Sequence, residues 1–184
     1  MSMIFKFYTG DPKKIIEVIL SNDFSKLGDP ALVFASADFS FRIYIQGLDL
    51  LTEKTCELQN LAPFRLVESL KENLSKTHIG NDDWGLFSVS QEWISLFASL
   101  KEDKISDLAR NWMTELIEQV EKESPLQRLF GKRIYNTLLR RKKTQKDEEL
   151  DQTISVASKA IKDLIILCKT SIAKNLPVLF YFSL

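Results

Sequence analysis

Apolar residues recur at helical spacing over most of the chain. Asp11-Pro12 suits a helix start, because Asp caps free N–H groups and Pro fits the first helical position. Ile15, Ile16 and Ile19 then share one helical face. Similar stripes predict further helices over about 48–58, 63–74, 91–100, 105–120, 125–138 and 147–174. The charged link Lys101–Lys104 is short, so we expect the helices on either side of it to pack as an αα-hairpin.

Four other segments have the composition or period of strands. Ile4–Thr9 is β-branched and aromatic, and the final VLFYFSL follows the last helix as a hydrophobic run. Phe39–Ile45 alternates apolar and polar residues, which predicts a strand with Leu32–Phe34 as its hairpin partner. Leu86–Val89 predicts a very short strand.

Together these elements predict an α+β fold in a single domain spanning residues 1–184. Six or seven helices should pack on a small sheet that joins the N-terminal strand, Phe39–Ile45 and the C-terminal strand. The length of 184 residues and the 45% hydrophobic content suit one sizeable core. No internal repeat or break in composition indicates a second domain.

Composition favours a cytoplasmic protein. No apolar run approaches the roughly 18–20 residues of a membrane span, and the N-terminus lacks the pattern of a signal peptide. We therefore expect no association with membranes. Cys56 and Cys168 are far apart and on apolar faces, which is typical of buried thiols in a reducing compartment.

The net charge of zero conceals an uneven distribution. Eight bases and no acid fall between Pro125 and Lys146, which leaves 17 bases against 25 acids elsewhere. The bases of this segment are Arg128, Lys132, Arg133, Arg140, Arg141, Lys142, Lys143 and Lys146. An exposed and frayed helix end or linker that favours solubility is the first interpretation of this basic segment, and an acidic protein partner is the second. Nucleic acid is the third, although the segment contains no nucleic-acid-binding motif.

All three tryptophans lie between Asn81 and Glu123. Trp93 and Trp112 fall on apolar helical stripes, which predicts a role in core packing for both. Glu115 lies one turn beyond Trp112, so a cleft with a tryptophan wall and a carboxylate rim is an alternative hypothesis. Trp84 would also lie near this cleft.

One predicted loop combines a histidine with acids: His78, Asp82 and Asp83, followed by Trp84. A histidine and carboxylates can transfer protons or bind a metal, but the spacing matches no known ligand pattern, and a solvated loop is favoured. The sequence has no nucleophile motif, no glycine-rich phosphate loop and no CxxC pair. We therefore assign no catalytic residue, no cofactor and no metal site.

Three stretches together resemble a family of uncharacterised bacterial proteins of about 170–190 residues. They are RIYIQGLDLLTEKTCELQNL, GLFSVSQEWISLFASLKEDKISDLARNWMTELIE and LPVLFYFSL. The residues that carry the resemblance are Gly47, Asp49, Ala109, Trp112, Thr114 and Glu115. A weaker likeness, in the MSMI start and the closing helix and strand, is to the YfbM-like family. The resemblance implies a bacterial cytosolic protein and supplies no activity.

These observations favour a non-catalytic cytosolic binding or interaction protein, such as a regulatory or immunity-type partner. The alternative is a small-molecule-binding protein or enzyme with a cleft near Trp84, Trp112 and Glu115. A third hypothesis is nucleic-acid binding through residues 128–146. The oligomeric state is not predicted by any of these patterns.

Overall fold

The computed structural model describes residues 3–41, 45–74, 84–122 and 143–183, with the side chains of 120–122 and 143–149 excepted. These residues form one α+β fold, as the sequence predicts. The strands are β1 (Ile4–Gly10), β2 (Val33–Asp38), β3 (Leu70–Asn73), β4 (Trp84–Val89) and β5 (Leu179–Ser183). The α-helices are α1 (Pro12–Leu20), α2 (Ile45–Leu58), α3 (Leu66–Ser69), α4 (Gln91–Ala98), α5 (Ile105–Lys122) and α6 (Lys143–Lys174), and short 3₁₀ helices span Phe24–Gly28 and Glu102–Lys104.

The five strands form one antiparallel sheet in the order β2-β1-β5-β4-β3. The C-terminal strand β5 lies at its centre and pairs with β1 from Ile4↔Ser183 to Tyr8↔Leu179. The predicted pairing of the two terminal strands is thus confirmed. Strand β4 pairs with the other side of β5, which makes the predicted short strand a central one.

The main core fills one face of the sheet. Phe5, Phe7 and Phe180 are fully buried there and contact side chains of α2, α4, α5 and α6. The Phe7 ring stacks on Phe180 at 4.7 Å and on Trp93 at 5.1 Å between centroids. Alternate residues of the same strands point to the opposite face, where Tyr8, Leu179 and Tyr181 pack against α1.

Local capping explains where the first and fourth helices begin. Asp11 accepts a hydrogen bond from the Lys14 N–H at 3.3 Å, and Pro12 is the first helical residue, as predicted. Ser90 caps α4 by accepting from the Trp93 N–H at 3.3 Å. Ser88 and Gln91 have the spacing of a capping box in the sequence, but Ser88 lies within β4 and the cap is Ser90.

The strand predicted over Phe39–Ile45 is wrong. The strand in this part of the chain is β2, which ends at Asp38. The Asp38 Oδ1 accepts the Ser40 N–H at 2.8 Å, and this bond turns the chain. Ile45 begins α2, and residues 42–44 lie outside the described residues. Phe39 and Phe41 nevertheless face the same way: both rings meet Trp112 edge-on, each at 6.1 Å between centroids. That shared packing produces the alternation that resembles a strand.

The helix predicted from Ala62 to Leu74 is also wrong. Only one turn, α3, is helical, and the chain then extends into β3. The Ser69 carbonyl accepts the Ser90 N–H at 2.8 Å, which holds the chain beside β4. Leu70 packs in the main core and Leu74 on the opposite face of the sheet, whereas a helix would have placed both on one face.

The helices α4 and α5 also pack differently from the sequence prediction. Helices α4 and α5 both pack mainly on α6, and not on each other as an αα-hairpin would require. Helix α6 begins at Lys143, so Lys143 and Lys146 are helical and the helix starts before its predicted start at about residue 147. No helix of the described residues is long and apolar enough to cross a membrane.

Gly10 allows β1, α1 and β2 to meet closely. A Cβ at Gly10 would lie 2.1 Å from the carbonyl oxygen of Leu32, which is fixed by the Asp11 N–H at 3.0 Å. A Cβ at Gly28 would meet nothing within 4 Å, and neither glycine has a positive φ.

We predict that Gly10→Ala lowers the free energy of unfolding by about 2–3 kcal/mol, since the backbone must shift. Its control Gly28→Ala should stay within about 0.5 kcal/mol. Urea denaturation of both variants measures this difference, and equal stabilities would contradict it.

Candidate functional site

The candidate site is built on the outer surface of α2, to which α3 and the segment between them return. Helix α2 ends where Asn60 adopts a left-handed conformation (φ 56°) and the Leu61 N–H bonds the Cys56 carbonyl at 2.9 Å. The chain then runs back along α2. Arg65 forms an ion pair with Glu53, and the Val67 N–H donates to the Asp49 carboxylate. This reversal brings charged and apolar side chains together on one surface.

Asp49 fixes the start of α3. Its Oδ1 accepts the Val67 N–H at 3.1 Å, so the carboxylate satisfies a free donor of that turn. Burial raises the pKa of the Asp49 carboxyl and outweighs the lowering by Val67 N–H and by Arg65. Asp49 is therefore a structural cap, whose partial burial disfavours its charged form.

Ion pairs join α2 to α5 and to the returning segment. Lys54 Nζ lies 2.6 Å from a Glu115 oxygen and 2.9 Å from a Glu57 oxygen. Both carboxylates raise the pKa of Lys54, with Glu115 the larger cause. Arg65 Nε donates to Glu53 Oε1 at 2.8 Å. The predicted rim carboxylate Glu115 is thus paired with a lysine on α2.

Trp112 belongs to the core and is not a cleft wall. Its side chain is fully buried, and its Nε1–H donates to the Gly47 carbonyl at 2.7 Å. This bond ties α5 to the first turn of α2. The core role predicted for Trp112 is confirmed, and no free face or donor remains for a ligand.

Trp84 lies elsewhere. It is half-buried on the sheet face opposite the main core, where its ring lies 6.3 Å from that of Tyr181. Because Trp84 and Trp112 pack on opposite faces of the sheet, these two side chains do not line a common cleft. Trp84 is also a strand residue and not part of the predicted loop.

Several other candidates lie outside the described residues. They are the loop residues His78, Asp82 and Asp83 and the basic residues Arg128, Lys132, Arg133, Arg140, Arg141 and Lys142. Lys143 and Lys146 lie in the first turns of α6, where the backbone alone is described.

The remaining reactive groups of the described chain are enclosed. Cys56 and Cys168 are free thiols with no exposed surface, and burial raises the pKa of each, which keeps them protonated. Among the described residues no group of histidine, cysteine, aspartate and glutamate is arranged to hold a metal ion. Reactions at the two thiols are therefore disfavoured by their burial.

The residues that sequence reasoning missed are apolar and exposed. Leu61 is 51% exposed and Val67 42% exposed, and between them Ala62, Pro63 and the half-buried Phe64 continue an apolar surface. We call this stretch the Leu61–Val67 strip. The sequence signal was Asn60 followed by Pro63, which marks a chain reversal, but the helix predicted there obscured it.

Comparison of the chain with protein-family models, curated proteins and solved structures found no match.

Two carboxylates should show opposite pH dependence. Hydrogen bonds and Lys6 outweigh burial and lower the pKa of Asp38, whereas burial raises the pKa of Asp49. The stability contributed by Asp38 is therefore lost as pH falls below about 4, and that contributed by Asp49 is lost as pH rises above about 4. We predict that the difference in unfolding free energy between wild type and Asp38→Asn shrinks toward acid pH. Toward acid pH, the unfolding free energy of wild type should increase relative to that of Asp49→Asn.

Chemical denaturation of the three proteins across this pH range measures both slopes. Asparagine keeps an acceptor oxygen in each position, so the variants differ mainly in charge. Slopes of the same sign would contradict the assignment.

Proposed function

We propose that the protein is a non-catalytic binding protein of the bacterial cytosol, which docks a protein partner on the Leu61–Val67 strip. A regulatory or immunity-type role suits such a protein. The observation that carries the proposal is the exposure of this strip on a well-packed domain.

The first support is the use of the polar side chains. Trp112 and Asp49 each hold two elements together, and Lys54 connects α2 to α5 through Glu115. Residues that are committed in this way are poor candidates for reacting with a substrate. The contacts of Trp112 and Glu115, on which the cleft hypothesis was based, therefore favour a structural role for both residues.

The second support is the apolar character of the strip. Leu58, which is 36% exposed, ends α2 just before it, so exposed apolar side chains recur at Leu58, at 61–63 and at Val67, with Arg65 exposed among them. A contiguous apolar patch with a polar border is typical of a protein interaction site. Pro63 and the Asn60 turn restrict the strip in the free protein, which reduces the entropy lost on binding.

The border of the strip favours a partner with cationic side chains. Asp49, Glu53, Glu57, Glu68 and Glu115 contribute five carboxylates against the two cations Lys54 and Arg65. Complementary charge accelerates association and selects the partner more than it adds affinity. We therefore infer a partner that presents an apolar segment flanked by lysine or arginine.

Leu61→Asp tests this proposal, with Val156→Asp as the matched control. Val156 is 45% exposed on α6, so the two variants place a charge at apolar sites of similar exposure. With all three proteins as baits in an extract of the native host, we expect one stoichiometric partner on wild type and on Val156→Asp. That partner should be absent from Leu61→Asp, because a desolvated carboxylate would oppose its apolar contact.

Thermal unfolding of both variants should remain close to wild type, which separates lost binding from lost folding. The same set of proteins on all three baits would contradict the proposal. So would a small molecule that copurifies with the wild type and with no protein partner.

A further inference from the structure

Helices α5 and α6 leave an open groove on the surface of the domain. Asp151 of α6 lies beside Arg110 of α5, and Lys162, three turns further along α6, lines the same groove as Glu102 just before α5. The two helices therefore run antiparallel along the groove. Its volume is ≈ 550 Å³, which lies within the range of small-molecule sites, and we call it the α5–α6 groove.

The α5–α6 groove has an apolar floor and a polar rim. Ile105 and Ile154 line it and are only 7% and 5% exposed, so they form the floor. Exposed charged side chains and serine hydroxyls form the rim. A ligand that matches this groove combines an apolar body with a polar group at its edge.

Two lysines of the rim have no anionic partner. Among the described residues, neither Lys159 nor Lys162 forms an ion pair, although Glu102 lines the same groove. The two lysines lie one turn apart on α6, so their ammonium groups can approach one anion together. Arg110 is held only loosely, because its Nη2 lies 3.7 Å from Asp151 Oδ1 and both side chains are more than half exposed. The rim therefore offers cationic donors to a ligand.

The serine hydroxyls of the rim are available as well. In other helical positions, Thr52 and Thr170 each donate to the carbonyl four residues earlier. Within the described part of the chain, the hydroxyls of Ser106, Ser155 and Ser158 make no such bond. A hydroxyl that bonds no carbonyl is free to donate to an oxygen of a ligand.

We propose that the α5–α6 groove binds a small phosphate monoester with an apolar body. The phosphate would accept hydrogen bonds from Lys159, Lys162 and the neighbouring serine hydroxyls, while the body covers Ile105 and Ile154. A phosphate dianion suits this rim because its oxygens accept several bonds at once, and lysine binds phosphate as a point charge. This inference does not depend on the proposed function.

The acids of the rim favour a small ligand over a nucleic acid. The three cations Arg110, Lys159 and Lys162 exceed the two acids Glu102 and Asp151 by a single charge. A polyanion that followed the groove would pass both carboxylates, which repel it. A single phosphate beside the two lysines avoids Asp151 at the other end.

Titration of the isotope-labelled, full-length protein with phenyl phosphate, followed by amide chemical shifts, tests the site. We expect saturable shifts at Ser106, Ser155 and Ser158. Inorganic phosphate lacks the apolar body and should bind roughly fivefold more weakly. Absence of saturable binding, shifts that map to another surface, or equal affinity for the two phosphates would overturn the proposal. Tighter binding of a random single-stranded oligonucleotide to the same residues would overturn it too.

Lysine variants test the role of charge at the rim. Lys169 is exposed two turns beyond Lys162 on the same face of α6 and does not line the groove, so Lys169→Gln is the matched control. We expect Lys159→Gln and Lys162→Gln each to weaken phenyl phosphate binding about threefold to tenfold. Lys169→Gln should stay within about 1.5-fold of wild type, because it is screened from the ligand by solvent. Matching thermal unfolding shows that all three variants are folded, and equal weakening by all three, or by none, would overturn the proposal.

Discussion

The pairing of β5 between β1 and β4 is the constraint on which the rest of the structure depends. Strand β5 joins the β1–β2 pair to the β3–β4 pair, and in the described sheet these two strand pairs meet through β5. Its side chains also connect the two sides of the sheet. Phe180 stacks on Phe7 in the main core, and Tyr181 packs beneath α1 on the opposite face. Folding therefore requires contacts between residues at opposite ends of the sequence, whose loop-closure entropy must be offset by this aromatic packing.

The same constraint determines which surfaces remain exposed. The sheet and helices bury the aromatic residues of the main core, and ion pairs and caps engage Asp49, Lys54 and Glu115. The Leu61–Val67 strip, which precedes β3 at one edge of the sheet, stays exposed beside these engaged side chains.

The sequence predicted the fold class and the terminal strands well, because both depend on strong local patterns. Asp11-Pro12 and the apolar stripes define helices whatever surrounds them, and the final apolar run must be buried. The errors occurred where tertiary contacts override local spacing. Phe39 and Phe41 alternate because both rings contact Trp112, and Leu66 and Leu70 have helical spacing although α3 ends at Ser69 and β3 begins at Leu70. Trp84 and Trp112 were expected at one cleft for a related reason: spacing along the chain does not reveal which face of a sheet a tryptophan will occupy. The chain reversal before the exposed strip had a signal in Asn60 and Pro63, but the exposure of Leu61 could not be predicted, since it depends on how α2 and α3 pack.

Hydrogen exchange in wild type and Phe180→Leu tests most directly whether β5 holds both halves together. The substitution removes a ring that stacks on Phe7 and leaves the strand's backbone bonds to β1 and β4 in place. If β5 couples the two strand pairs, amide protection in β1 and in β4 should fall by the same factor, because both open only with the whole sheet. Loss of protection in β1 with β4 unchanged would contradict the account, since the two strand pairs would then be independently stable.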